Sequence, residues 1–202
     1  MHKIFSIFSQ PIFKSEPYEI QDSELYHLNQ LPREKNKGGG GNQRTKTDKL
    51  LDENVMSTLK TWIMGQVKTY AFDELKINKE HTYFYMTQSW ANFNTTNTNH
   101  HKHWHANSLI SGVFFVDGFK TPIRFSSKSS LFPLEFQYNE FNDLNSESYN
   151  IELEKGVLLL FPSMLEHEVE SNLTNSQRIT ISFNTWAEGN FGQKDRLTEL
   201  ST

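Results

Sequence analysis

Cysteine is absent from all 202 residues, which excludes disulfides and Cys-ligated zinc and agrees with a reducing compartment. No apolar run reaches the length of a membrane span. A basic excess is missing as well: 20 Lys and Arg stand against 24 Asp and Glu, a formal net charge of −4. That balance carries no electrostatic footprint for nucleic acid. The four glycines Gly38–Gly41 lack both a preceding strand and the G-x-x-x-x-G-K-[ST] pattern of a phosphate-binding loop. Nor is there an internal repeat. These absences lead us to expect neither a nucleic-acid nor a membrane partner, and a cytoplasmic location. Met1 to Phe13 is apolar, but Gln10 and Pro11 interrupt it and no small-residue cleavage site comes after. We read it as a first strand over Lys3 to Phe8 and an extended piece over Pro11 to Lys14, not as a signal peptide.

What is present fits one domain with an aromatic-rich core: 36% of residues are hydrophobic, and 16 are phenylalanine. Asp22 is placed to cap a short helix carrying Leu25, Leu28 and Leu31 on one face. Residues 35–47 read as loop around the glycines, a linker or a flap over a cavity mouth. From Asp52 to about Leu75, Val55, Leu59, Trp62, Ile63, Val67, Tyr70 and Ala71 recur at helical spacing, so a supporting helix is expected over 52–75. Thr82 to Phe93 reads as a strand. Residues 127–149 show no regular pattern but carry Leu131, Phe132, Phe136, Tyr138, Phe141 and Tyr149. A long connection with its own apolar content is commonly functional, and we expect it to shape an entrance. Short strands are expected at Thr121–Ser126 and Ile151–Glu154, and a frayed tail over 188–202.

The chemistry concentrates around His103-Trp104-His105. In extended chain, residues two apart share a face, so both imidazoles can meet one ion. Read as one continuous strand, the pair stands at the entry to Ser111–Val116, a β-branched and aromatic run ending at the turn signal Asp117-Gly118. Taken alone, this tract (with His100 and His101 beside it) is as compatible with an exposed loop that binds metal adventitiously. Further along come an apolar strand, Gly156 to Pro162, then His167, then a segment in which Arg178, Thr180, Ser182 and Asn184 take one face and Ile179, Ile181 and Phe183 the other. Such alternation most often puts the polar face in water. In a barrel it can line a cavity instead, and an arginine there offers a planar fork for a carboxylate.

The order H-x-H, SGVFFV, GVLLLFPS, a distal histidine and R-x-T-I-S-F-N resembles the 2-oxoglutarate/Fe(II)-dependent oxygenases, in particular a branch found in marine bacteria and their phages. The resemblance takes in Ser89-Trp90-Ala91-Asn92 and the Ile7 to Pro11 region. It implies a mainly β fold with flanking helices, a double-stranded β-helix or jelly-roll of the cupin kind. Residues 1–202 would form one domain with its core over 82–187. It implies Fe(II) and 2-oxoglutarate as cofactors, O2 and an unidentified small-molecule or protein substrate as partners, and hydroxylation with release of succinate and CO2. If phage-encoded, the protein would act in the host cytoplasm.

Residue by residue, His103 matches the first histidine of the family's metal motif and His167 the distal one. Arg178 lies where these oxygenases bind the far carboxylate of 2-oxoglutarate, Thr180 matches the hydroxyl of their R-x-S element, and Asn92 is a candidate polar contact. One departure stands out. The family has a carboxylate two residues after the first histidine, giving the 2-His-1-carboxylate triad, and this chain has His105. Three readings are open: His105 as a third ligand, which we favour, a role for His105 outside the ligand set, or another acid reaching in, with Asp117 and Glu166 nearest in sequence. Two other functions compete with the oxygenase: a cupin-like three-histidine dioxygenase without 2-oxoglutarate, and a non-enzymatic jelly-roll interaction module.

Overall fold

The structure, a computed structural model, describes all residues except 1, 2, 6, 8, 39, 119, 120, 128–132 and 135. In chain order the elements are β1 (Phe13–Lys14), α1 (Asp22–Gln30), β2 (Arg33–Lys35), β3 (Gln43–Thr45), α2 (Ser57–Lys68), β4 (Thr82–Asn94), β5 (His100–His103), β6 (Ile110–Asp117), β7 (Ile123–Ser126), β8 (Ser148–Ile151), β9 (Leu158–Pro162), β10 (Glu166–Val169), β11 (Arg178–Phe191) and β12 (Leu200–Ser201). They make an eight-stranded sheet, β1-β9-β6-β11-β4-β3-β2 with β12 added to β11, and a four-stranded sheet, β5-β10-β7-β8. Every strand pairing is antiparallel.

Two cores explain why the strands of the large sheet are so apolar. On its outer face Phe114, Val116, Leu158, Leu160, Ile179, Ile181 and Phe183 pack with Leu28 of α1 and Leu59, Ile63 and Val67 of α2. On its inner face Val113, Phe115, Leu159 and Phe161 pack with Ile123, Phe125 and Val169 of the small sheet. A strand covered on both sides carries apolar residues on both faces, which is the pattern of Val113–Val116 in β6 and Leu158–Phe161 in β9. This two-sheet sandwich closed by antiparallel pairs is the jelly-roll arrangement expected. Gly112 marks the tightest point. A Cβ there would stand 2.2 Å from the ring of Phe183 and 2.9 Å from Leu160, so the crossing of β6 and β11 needs the missing side chain.

The helical stripe is as expected: Leu59, Ile63, Val67, Tyr70 and Ala71 are buried. The single helix over 52–75 is instead composite, with short 3-10 turns at Leu50–Asp52 and Asn54–Met56, then α2, then a π-helical turn at Thr69–Glu74. Asp22 begins α1, but the preceding residue caps it: the Gln21 backbone N–H donates to the Glu24 carboxylate at 2.9 Å. Leu28 is buried, with Leu25 and Leu31 packed beside it.

Several other expectations are corrected. Residues 35–47 are not loop throughout, because β2 and β3 form a hairpin and β3 pairs with β4. The N-terminal strand over Lys3 to Phe8 does not form at its described residues; Ile4, Phe5 and Ile7 are exposed, and the sheet edge is taken by β1. The strand at Thr121–Ser126 starts at Ile123, and the one at Ile151–Glu154 is displaced to Ser148–Ile151, where it can pair with β7. The tail over 188–202 is not frayed: β11 continues to Phe191 and β12 returns antiparallel to it, so the core outruns 82–187. In the connection 127–149, Leu131 and Phe132 lie outside the described residues.

Candidate metal centre

β5 and β10 are adjacent in the small sheet, and His103 lies directly opposite His167. Directly opposed residues share a sheet face, so two histidines far apart in sequence become neighbours, their rings 4.4 Å apart between centroids. His105 arrives differently from the expected continuous strand. β5 ends at His103, and a turn through Asn107, which adopts φ 55°, separates it from β6 in the other sheet. The pair therefore does not stand at the entry to one buried strand. Instead His105 is pinned from β9's end, its backbone N–H donating to Ser163 O at 2.9 Å. Its ring packs against Trp90 at 6.1 Å.

Each of the three offers one nitrogen, and all three nitrogens lie within 4.8 Å of one another; Nε2 of His105 and Nε2 of His167 are 3.4 Å apart. Nitrogens bound at about 2.1 Å to one ion stand roughly 3–4 Å apart, so small side-chain rotations suffice to share one. The tautomers are set for that task. Nδ1–H of His103 donates to His101 O at 2.8 Å, and Nδ1–H of His167 donates to Leu165 O at 2.9 Å. A backbone acceptor on Nδ1 leaves the Nε2 lone pair free for a metal. Burial, with mutual repulsion among the imidazoles second, pushes His167 down to about 3, and burial with repulsion from His103 pushes His105 down to about 4. His103 is lowered too, chiefly by burial. Uncharged imidazoles at neutral pH are the form that ligates.

Neither acid singled out from the sequence reaches this cluster among the described residues. Asp117 is half exposed and 3.7 Å from Lys155. Glu166 neighbours His167 on β10, and adjacent strand residues face opposite ways.

Behind the imidazoles is a pocket lined by Asn92, Asn94, His100, His103, His105, His167, Arg178, Thr180 and Ser182, among others. β11 and β4 supply its polar wall, with Arg178 opposite Asn94, Thr180 opposite Asn92 and Ser182 opposite Trp90. The polar face of β11 is thus turned inward and not to water; Arg178 and Thr180 are each 2% exposed. Arg178 is the unusual member. Burial lowers its pKa to about 10, it remains a cation at neutral pH, and its Nε and Nη2 have no partner among the described residues. Asn92 Oδ1 and Asn94 Nδ2 are unpartnered as well, although Asn92 Nδ2 donates to Ser182 Oγ at 3.0 Å. A buried, unpaired guanidinium is costly, and an anion in the pocket answers it. The residues therefore fit both expected groups: three convergent imidazoles for a divalent metal, and a buried fork for a carboxylate.

The sequence reading missed two lining residues. Asn94 is one alternation step past Asn92 and was readable on that ground. His100, stacked on His103 at 4.4 Å and 13°, was not: β5 and β10 shift register between His167 and Val169, which simple alternation does not foresee.

The jelly-roll thus brings three imidazoles and a buried arginine to one pocket. Residues 88–184, which carry the candidate site, match the family described as "Putative 2OG-Fe(II) oxygenase". Solved structures agree in fold. The α-ketoglutarate-dependent epimerase SnoN from nogalamycin biosynthesis superposes with a TM-score of 0.62 at 13% identity, covering 89% of this chain and 79% of that one. HygX from Streptomyces hygroscopicus, determined with nickel, 2-oxoglutarate and hygromycin B, gives 0.59 at 12% identity, covering 87% and 82%. A Pseudomonas putida prolyl-4-hydroxylase gives 0.58 at 12% identity, covering 87% and 93%. A search of curated protein sequences finds no match. No helix among the described residues is long and apolar enough to cross a membrane.

Proposed function

We propose that this protein is an Fe(II)- and 2-oxoglutarate-dependent dioxygenase that hydroxylates its substrate, with His103, His105 and His167 holding the metal and Arg178 holding the far carboxylate of 2-oxoglutarate. When bound, the iron and its cosubstrate supply the redox chemistry: 2-oxoglutarate and O2 go to succinate and CO2 while one oxygen atom enters a C–H bond. The chain's own part is to bind, orient and exclude water. The His101 and Leu165 carbonyls fix the rings of His103 and His167. Thr180 and Asn92 line the pocket wall beside Arg178, and Phe115 lies 5.6 Å under the guanidinium, keeping that end apolar and dry.

The observation that carries this reading is the buried Arg178, its Nε and Nη2 without a hydrogen-bond partner among the described residues, in the same pocket as the three histidines. A three-histidine dioxygenase that binds substrate directly on its metal has no need of such a cation. An interaction module has no need of imidazoles with their Nδ1–H groups tied back. Isothermal titration of 2-oxoglutarate into Ni(II)-loaded protein tests the assignment. Wild type is expected to bind one equivalent, and Arg178→Ala to bind at least about 100-fold more weakly, the scale of a buried charge-assisted pair, with unchanged nickel content. Equal loss of nickel and 2-oxoglutarate refutes the separate roles.

A further inference from the structure

A second space adjoins the same histidines without Arg178 in its lining. It is a groove of about 380 Å³ whose floor is His101, His103 and His105 and whose walls include Asn36, Arg44, Asp48, Gln88 and Trp90. Its volume falls within the usual range for small-molecule sites. Asn36 and Arg44 belong to the β2–β3 hairpin, so the segment read from the sequence as a linker or flap supplies part of this wall. Gly40 O accepts from the Asn99 backbone N–H at 3.2 Å, and a Cβ on Gly40 would fall on the Asn99 side chain. Glycine is what lets the hairpin dock against the segment leading into the histidines.

We infer that this groove is the substrate site and that it takes a hydrophilic small molecule carrying an amine. The inference rests on the oxygenase reading, since it takes the metal to lie at the groove floor. The lining argues for the class in two ways. Apart from Trp90, every side chain that lines the groove is polar or an imidazole, so hydroxyls and amines find hydrogen-bonding partners along it while the Trp90 and histidine rings supply its apolar surface. The charge balance adds a sign. Arg44 is already paired, its Nη2 2.6 Å from the Glu34 carboxylate directly across the hairpin. Asp48 makes no ion pair among the described residues, and its carbonyl is fixed to strand β4 by the Ser89 N–H at 2.8 Å. The groove wall therefore presents one exposed carboxylate that makes no ion pair among the described residues. With a divalent ion and the 2-oxoglutarate dianion cancelling at the floor, that carboxylate attracts an ammonium group and disfavours a carboxylate or phosphate.

Three sugars that differ in one substituent read that charge directly: D-glucosamine, D-glucose and D-glucuronate, titrated into Ni(II)- and 2-oxoglutarate-loaded full-length protein. Wild type should rank them amine over neutral over acid, with the amine about threefold to fivefold ahead of the neutral sugar, the scale of an exposed ion pair. Asp48→Asn should bring glucosamine to the level of glucose. Glu34→Gln, which frees Arg44, should raise glucuronate above glucose. A wild-type preference for glucuronate, equal binding of all three, binding of none at tens of millimolar, or a ranking unmoved by Asp48→Asn overturns the inference. Failure of 2-oxoglutarate to bind in the preceding titration overturns the oxygenase reading instead, so the two failures are distinct.

Discussion

The imidazoles of His105 and His167 lie parallel to within 1°, their Nε2 atoms 3.4 Å apart, although 62 positions separate them in the chain. One ring is carried by the segment after β5 and the other by β10. At that separation the two nitrogens share either a proton, as a hydrogen bond, or a metal ion. A divalent ion should therefore stabilise the folded protein, because it binds the native state far better than the unfolded chain.

That relation separates a built site from an adventitious histidine tract. His105→Ala and His167→Ala should each weaken Ni(II) or Co(II) binding by at least about 100-fold, since each removes a ligand. His101→Ala should change it by less than about threefold, because His103 uses only the backbone carbonyl of His101. Calorimetric titration of the three variants checks this, and equal losses would mean that the tract binds metal by composition alone.

The depressed histidines make metal-free protein sensitive to mild acid. His100 and His167 are pushed down to about 3 and His105 to about 4, against 6.5 for an unperturbed side chain. Below 6.5 the unfolded chain takes up protons that the folded chain refuses. Stability therefore falls as pH drops from 6.5 toward 4 and is indifferent to these groups above that window. Thermal unfolding of metal-free protein at about pH 7.5 and about pH 5.5 should show a lower melting temperature in acid. A melting temperature that holds or rises would contradict the burial of these rings.

Arg178 offers an opposite expectation for stability and for binding. With no partner for Nε and Nη2 among the described residues, its charge burdens the fold when 2-oxoglutarate is absent. Arg178→Met should leave ligand-free protein as stable as wild type or more stable, by about 1–3 kcal/mol, while losing the thermal shift that 2-oxoglutarate produces. Chemical denaturation with and without ligand measures both. A strongly destabilised ligand-free variant would show that the guanidinium has a structural partner.

At Gly112 the prediction concerns packing. Phe183 and Leu160 already occupy the place of its missing Cβ, so Gly112→Ala overpacks the crossing of β6 and β11. The expected cost is about 1–3 kcal/mol. Urea denaturation reads it, and an unchanged midpoint would mean that β6 and β11 can separate without loss.

How much of this was legible in the sequence depended on whether one strand or two had to be foreseen. The alternation over Arg178 to Asn184 reads directly as a strand, but whether its polar face meets water or a cavity depends on β4 and the small sheet covering it. His103 and His167 could be paired by resemblance. The break between His103 and the next strand was hidden, because Trp104 continues the alternating pattern to His105. The hairpin of β2 and β3 was read as loop since it has no apolar face. Its pairing rests on backbone bonds and the Glu34–Arg44 contact, as suits a charged edge. Residues 188–202 were read as tail for the same reason, Asn190 facing Ser201 across β11 and β12.

The central claim is that the three histidines and Arg178 hold one metal and one 2-oxoglutarate side by side. Anaerobic Fe(II) protein titrated with 2-oxoglutarate tests it most directly. The account predicts a weak visible charge-transfer band that saturates at one equivalent in wild type and is lost at the same ligand concentration in Arg178→Ala. Iron bound at one equivalent with no band at saturating 2-oxoglutarate would contradict it.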